Sequence, residues 1–258
     1  MKAALFSAFP QELICIRRNL RAEKIRSSPF ATWSACSASK EIIMVLSGMG
    51  AVNSEAAWNY AVGTYRPDYI ISAGFGGALY EGAGIGDVIA ASSVMLYPDI
   101  AEATSADSRR KCPMDVPGAK EVIGRMNGDV AVHEGSFLTF SQRMDKTTVD
   151  QKLLGGLSFP VCDMETFSLA TLSLAGGLPF FALRAITDLV HEEIPRELFG
   201  VTDTYGKFNL IHALYIILSK PGLMPVFIRM GRNARTASQK LSMAIESLLR
   251  VLEGNIGD

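Results

Sequence analysis

Residues 161–190, VCDMETFSLATLSLAGGLPFFALRAITDLV, limit what this chain can fold into. Two apolar runs flank an Ala- and Leu-rich segment, and the acids fall only at the ends. The pattern predicts a short strand over 159–162, a helix over 166–174 stopped by Gly176-Gly177, and a second buried strand over 178–186. Strand–helix–strand at this length reads as one βαβ unit, which implies parallel strands. Ligands of such sheets bind at the carboxyl ends of the strands. Glu165 and the pair Thr187-Asp188 would then face one crevice.

The rest of the chain repeats this grammar. Residues 3–8 read as a strand. Pro10 then starts a helix, with Glu12 in its first turn and Leu13, Ile16, Leu20 and Ile25 at roughly helical spacing. A strand over 41–46 runs into Ser47-Gly48-Met49-Gly50 and a helix over 51–65, which ends before Pro67. A strand over 68–73 meets the glycine cluster Gly74-Phe75-Gly76-Gly77, and a long strand follows over 88–97. Glycines at strand ends let a ligand approach the backbone, although neither segment carries a dinucleotide fingerprint or a phosphate-binding GK[ST]. Residues 99–117 read as a polar loop or lid. A helix over 119–126, a strand over 130–139 and a helix over 147–154 lead to the central unit. Beyond it lie a charged loop over 191–207 and a helix over 208–218. A break at Pro221-Gly222, a restart over 225–230 and a long amphipathic helix over 233–252 complete the chain. No composition shift marks a linker, so the chain reads as one domain, 1–258, with 207–258 a helical C-terminal extension.

Composition removes several classes of function. Net charge is −1, which gives no electrostatic footprint for nucleic acid. No apolar run is long enough to span a membrane. The apolar start MKAALFSAF is cut off by Pro10 and reads as a strand rather than an export signal. Cys15, Cys36, Cys112 and Cys162 have no metal-ligand spacing and read as reduced thiols of a cytoplasmic protein, Cys162 as a core thiol. His133, His191 and His212 have no Ser or Cys partner at triad spacing. His191 and the pair Glu192-Glu193 read as solvated.

Taken in order, strand–Glu12, SGMGAVNSEAA, PDYIISAGFGGAL followed by GDVI, VCDMETFSLA and LRAITD resemble the nucleoside phosphorylase/hydrolase superfamily, and most of all its 5′-methylthioadenosine/S-adenosylhomocysteine nucleosidase branch. The resemblance implies an α/β fold, a three-layer α/β/α domain with a central mixed sheet. It implies that Glu165 holds the ribose hydroxyls with Met164 packed on the sugar. Asp188 would protonate or hydrogen-bond the purine at N7. Glu12 would orient and deprotonate water, with Arg184 and Thr187 in support. Gly74 and Phe75 would form the wall by the sugar, Phe75 replacing a usual small residue. Phe140 would be the substitute for a base-stacking aromatic. The chemistry fits: glycosidic cleavage passes through an oxocarbenium-like state, and a purine leaves poorly unless N7 takes a proton, which an Asp can supply if burial raises its pKa.

The resemblance implies no cofactor, a small purine nucleoside as the partner and a homodimer or larger homo-oligomer. Ala73 stands where phosphorolytic relatives place an arginine, which favours water over phosphate, although Arg17 or Arg143 could hold the anion. The segment SKPGLMPVFIRMGRNARTASQKL resembles the tail of hopanoid-associated nucleoside phosphorylases. Phosphorolysis, of adenosylhopane for example, is therefore an alternative, with phosphate as co-substrate. A non-catalytic nucleoside-binding module is a second.

Overall fold

The computed structural model describes residues 1–37, 40–97, 114–126, 130–142, 146–192, 215–216 and 219–254. The first half alternates strands β1 (Lys2–Ser7), β2 (Glu23–Ile25), β3 (Ala31–Ser37), β4 (Lys40–Leu46), β5 (Tyr69–Ala78) and β6 (Val88–Tyr97) with helices α1 (Pro10–Asn19) and α2 (Ala51–Tyr65). The second half adds β7 (Met114–Asp115), α3 (Ala119–Arg125), β8 (Val132–Phe140), α4 (Gln151–Leu154), β9 (Val161–Asp163), α5 (Thr166–Ala175), β10 (Phe180–Asp188) and α6 (Met224–Gly254).

All ten strands join one mixed sheet, in the order β10-β6-β8-β9-β5-β1-β4-β3-β2, with β7 on β6. Because β10 also pairs with β5, the strands β5, β10, β6, β8 and β9 close into a ring. Successive side chains of a strand point to opposite faces. Here both faces are apolar, as a sheet covered on both sides requires. Ala3, Leu5, Ile42, Met44 and Ile71 pack under α1 and α6. Ala4, Phe6, Ile43, Val45 and Ile70 pack under α2 and α5, against Ala57, Ala61, Leu169 and Ala170. The result is three layers, α/β/α.

Several sequence expectations need correction. β9 and β10 are not a parallel pair: β5 lies between them, antiparallel to β9 and parallel to β10. Three residues of β9 are too few to carry their own register, and its neighbours β8 and β5 impose it. Ile25 is not on the first helix. That helix ends at Leu20, Arg21 takes a left-handed φ of 50°, and the chain turns into the hairpin β2–β3, which the sequence reading overlooked. β5 runs on through Gly74, Gly76 and Gly77 instead of stopping before them. The helix expected over 147–154 shortens to Gln151–Leu154, capped by Asp150, whose carboxylate accepts from the Lys152 amide.

At the C-terminus, Pro221-Gly222 lies in a 3₁₀ turn, and a single helix follows with no second break. Pro225 is tolerated because the first turn of a helix has no amide partner to lose. Ala237, Leu241, Ala244, Ile245, Leu248 and Leu249 of α6 are buried in the main core, so this helix is a structural layer of the sheet. Each fully buried leucine contributes about 2 kcal/mol. The loop expected over 99–117 lies outside the described residues up to 113, as do the loop beyond Glu192 and most of the helix expected over 208–218.

Candidate active site

The site begins where β1 and β4 end together beside the continuing strand β5. Glu12 is the third residue of α1, and its Oε2 accepts from the Phe9 amide at 2.8 Å. That contact is a helix cap. Its Oε1 does something a cap does not need: it accepts from the Phe75 amide of β5 at 2.7 Å. The carboxylate is thus fixed at both oxygens. A Cβ on Gly74 would lie 2.7 Å from Oε1, so only glycine lets Glu12 reach this strand. Burial pushes Glu12 up to about 6, against the lowering effect of the Phe9 and Phe75 amides and the Arg184 charge.

Glu165 follows β9 at the N-cap position of α5, with no capping hydrogen bond from its side chain. Its Oε1 accepts from the Gly50 amide at 2.7 Å, tying the SGMG turn to the DMET segment. Gly50 has φ 88°, a left-handed conformation that suits glycine. Burial, and then the charge of Asp163, push Glu165 up to about 7. Glu12 and Glu165 line one cavity of about 10 Å³ with Ser7, Ser47, Ser72 and Arg184. That volume holds about one water molecule.

Arg184 is a buried cation in an otherwise apolar strand, and such a charge needs a partner. It has one. Its Nη2 lies 2.8 Å from Asp163 Oδ2 and also donates to Ser72 Oγ and Thr166 Oγ1. Asp163 accepts from Thr139 Oγ1 at 2.7 Å and from Thr166 Oγ1. This knot joins β10, β9, β8 and α5 behind Glu165. Among the described residues Arg184 Nε has no hydrogen-bond partner. Asp163, Ser72, Thr139 and Thr166 went unnoticed in the sequence. The signal was present, because a lone Arg between apolar residues requires a carboxylate in the core.

Asp188 does not line the cavity. The register of β10 on β5 slips between Ile186 and Asp188, a bulge at Thr187. Such irregularities re-aim side chains. Asp188 then faces Gly77, three residues along β5 from Gly74, roughly 10 Å at the rise of a strand. Thr187 Oγ1 donates to Asp188 Oδ1 at 2.9 Å. Lys146 Nζ lies 2.6 Å from Oδ2 and also donates to the Leu189 carbonyl. Asp188 is thus part-buried and ion-paired. Nothing in the sequence pointed to Lys146.

The other candidates are scattered. Met164 is half-buried between Asp163 and Glu165. Phe75 gives its amide to Glu12 and packs its ring on the main core. Phe140 is buried in a separate cluster, edge-on to Tyr97 with ring centroids 5.1 Å apart. Arg17 stacks on Trp33, away from the cavity, and Arg143 lies outside the described residues. Burial pushes the Cys162 thiol up to about 12, which makes it no nucleophile. His191 pairs with Glu81 on the surface. Glu192 accepts from the Leu189 amide and pairs with Arg229 rather than lying free in solvent. No group of His, Cys, Asp and Glu among the described residues could hold a metal ion.

Comparison with known proteins agrees with this architecture. The family model described as "Phosphorylase superfamily" matches residues 2–207. The 5′-methylthioadenosine/S-adenosylhomocysteine nucleosidase of Maridesulfovibrio salexigens is 27% identical over 210 residues, 75% of this chain and 88% of that protein. The nucleosidase of the same name from Bacillus subtilis is 23% identical over 211 residues, with the same shares. Among solved structures, the S. pneumoniae nucleosidase with a transition-state inhibitor superposes with a TM-score of 0.72 at 18% identity, over 98% of this chain and 100% of that one. The futalosine hydrolase of Helicobacter pylori gives 0.71 at 14%, over 97% of both. At these identities the solved structures speak for the fold.

Proposed function

Because the chain belongs to the phosphorylase superfamily, we propose that it is an enzyme that cleaves the N-glycosidic bond of an adenine nucleoside with water, as the nucleosidases of methylthioadenosine and S-adenosylhomocysteine are named for doing. The observation that carries this reading is the pair Glu12 and Glu165 around a cavity of one water's size, with Asp188 facing Gly77, roughly 10 Å along β5 from the Gly74 that Glu12 faces. In this reading a water in the cavity gives its proton to Glu12. A base at about 6 is charged at neutral pH yet still basic enough to take a proton in the transition state. Glu165 accepts the ribose hydroxyls, and its charge steadies the cationic sugar. Asp188, braced by Thr187 and Lys146, meets the purine at N7. No metal or organic cofactor is called for.

The space beside Glu12 supports water as the nucleophile, since a cavity of about 10 Å³ on this measure holds about one water molecule. The test is direct. Purified protein should release adenine from methylthioadenosine in phosphate-free buffer, with free methylthioribose as the other product. Strict dependence on phosphate, with a sugar 1-phosphate as product, would select phosphorolysis instead. Adenine binding in a calorimeter without turnover would select a binding module. A second substrate, adenosylhopane, draws support from α6, whose Asn233 donates to the Thr187 carbonyl beside Asp188. Comparing rates on the two nucleosides decides between them. A homo-oligomer belongs to the same reading, and sedimentation velocity measures it.

A further inference from the structure

Charge is unevenly spread along this nearly neutral chain. Between Thr204 and Ile245 stand Lys207, Lys220, Arg229, Arg232, Arg235 and Lys240, with no Asp or Glu among them. With the whole chain at −1, that segment carries +6 and the remainder −7. The structure shows where part of this charge goes. α6 joins the core from Ala237 onward, and no residue from Pro221 to Thr236 is buried, although Arg229 pairs with Glu192 and Asn233 donates to the Thr187 carbonyl.

The two sides of this leading segment differ. Leu223, Val226 and Phe227 pack on Ile216. The opposite side carries Met224 and Ile228, 41% and 49% exposed. Arg232 and Arg235 continue that row at spacings of four and three, so apolar tips and guanidinium groups share one helical stripe. Pro225 and Arg229 widen it into an open groove of about 570 Å³.

We propose that this face docks on the surface of an anionic lipid bilayer. Apolar side chains beside cations on an amphipathic helix suit the boundary between acyl chains and headgroups. Two alternatives fit less well. A second copy meeting this stripe would bring the cations of both copies into one seam with no acid on the stripe to answer them, and like charges repel. A nucleic acid would use the cations and leave Met224 and Ile228 in water. No helix among the described residues is long and apolar enough to cross a membrane.

The experiment is sedimentation of the purified full chain with phosphatidylcholine vesicles, with and without phosphatidylglycerol, at low and high salt. The expected result is pelleting with the anionic vesicles only, lost at high salt. Each cation near such a surface contributes about 1 kcal/mol, or about fivefold, so Arg232→Gln with Arg235→Gln should weaken binding ~25-fold. Met224→Gln with Ile228→Gln should weaken it as well. Both double variants should keep the wild-type melting temperature and the rate on a soluble nucleoside, since these residues lie outside the proposed site. Equal pelleting with both vesicle types, none with either, or wild-type binding by both variants overturns the proposal. So does a dimer that the Met224/Ile228 variant splits while vesicle binding stays unchanged.

Discussion

Glu165→Gln should make the protein more stable and less active, and the gain in stability should depend on pH. Glu165 is 8% exposed and keeps one hydrogen bond, from the Gly50 amide. Burial and the neighbouring Asp163 raise it from 4.5 to about 7. One pKa unit corresponds to about 1.4 kcal/mol, so ionising this group in the fold removes roughly 3 kcal/mol of stability. The folded state holds the proton more tightly than the unfolded chain. The carboxyl's contribution is therefore complete below pH 4.5, declines as pH rises toward 7 and is gone above it. Glutamine has the same shape, can accept from Gly50 and does not titrate. The variant should match the wild type near pH 5 and exceed it by about 2–3 kcal/mol at pH 8. For a chain of this length that is about 5–10 °C in melting temperature. Thermal melts from pH 5 to 8.5 read the gap directly. A gap that does not change with pH, or a variant less stable at pH 8, refutes the reasoning. In the same samples kcat/KM should fall about 100-fold, because hydrogen bonds from the ribose hydroxyls to a charged acceptor contribute about 1.5–3 kcal/mol each.

Four further tests examine the rest of the arrangement. Asp188→Asn should cut kcat at least 100-fold, the usual scale for a positioned proton-transfer group, and should also lower the melting temperature by leaving Lys146 without its carboxylate; an unaltered rate removes Asp188 from the mechanism. Gly74→Ala places a methyl 2.7 Å from Glu12 Oε1, so activity should collapse and the acidic limb of the pH–rate profile, set by a group near 6, should shift. Arg184→Met leaves Asp163 buried without its cation and should cost about 3–5 kcal/mol in urea unfolding; a loss of activity alone would mean that Arg184 is no structural clamp. Leu241→Ala, in the α6 layer, should cost about 2–5 kcal/mol if that helix is core, and almost nothing if it is an appended tail.

Local chemistry made much of this protein legible from its residues. Apolar runs bounded by glycine and proline gave β1, α1, β4, α2, β5 and β6, though not the hairpin β2–β3, because propensity and burial act over a few neighbours. Glu12 and Glu165 stood out because a charge at the end of an apolar element is costly unless something uses it, whereas Arg184 entered only through the family resemblance. Tertiary structure alone decided what depends on residues far apart. The direction of β9 came from β8 and β5, since three residues cannot set their own register. The knot around Asp163 and the Lys146–Asp188 pair join groups whose sequence separation hides their contact. The lifted acidities of Glu12 and Glu165 arise from burial, which no residue has by itself and only the closed fold supplies.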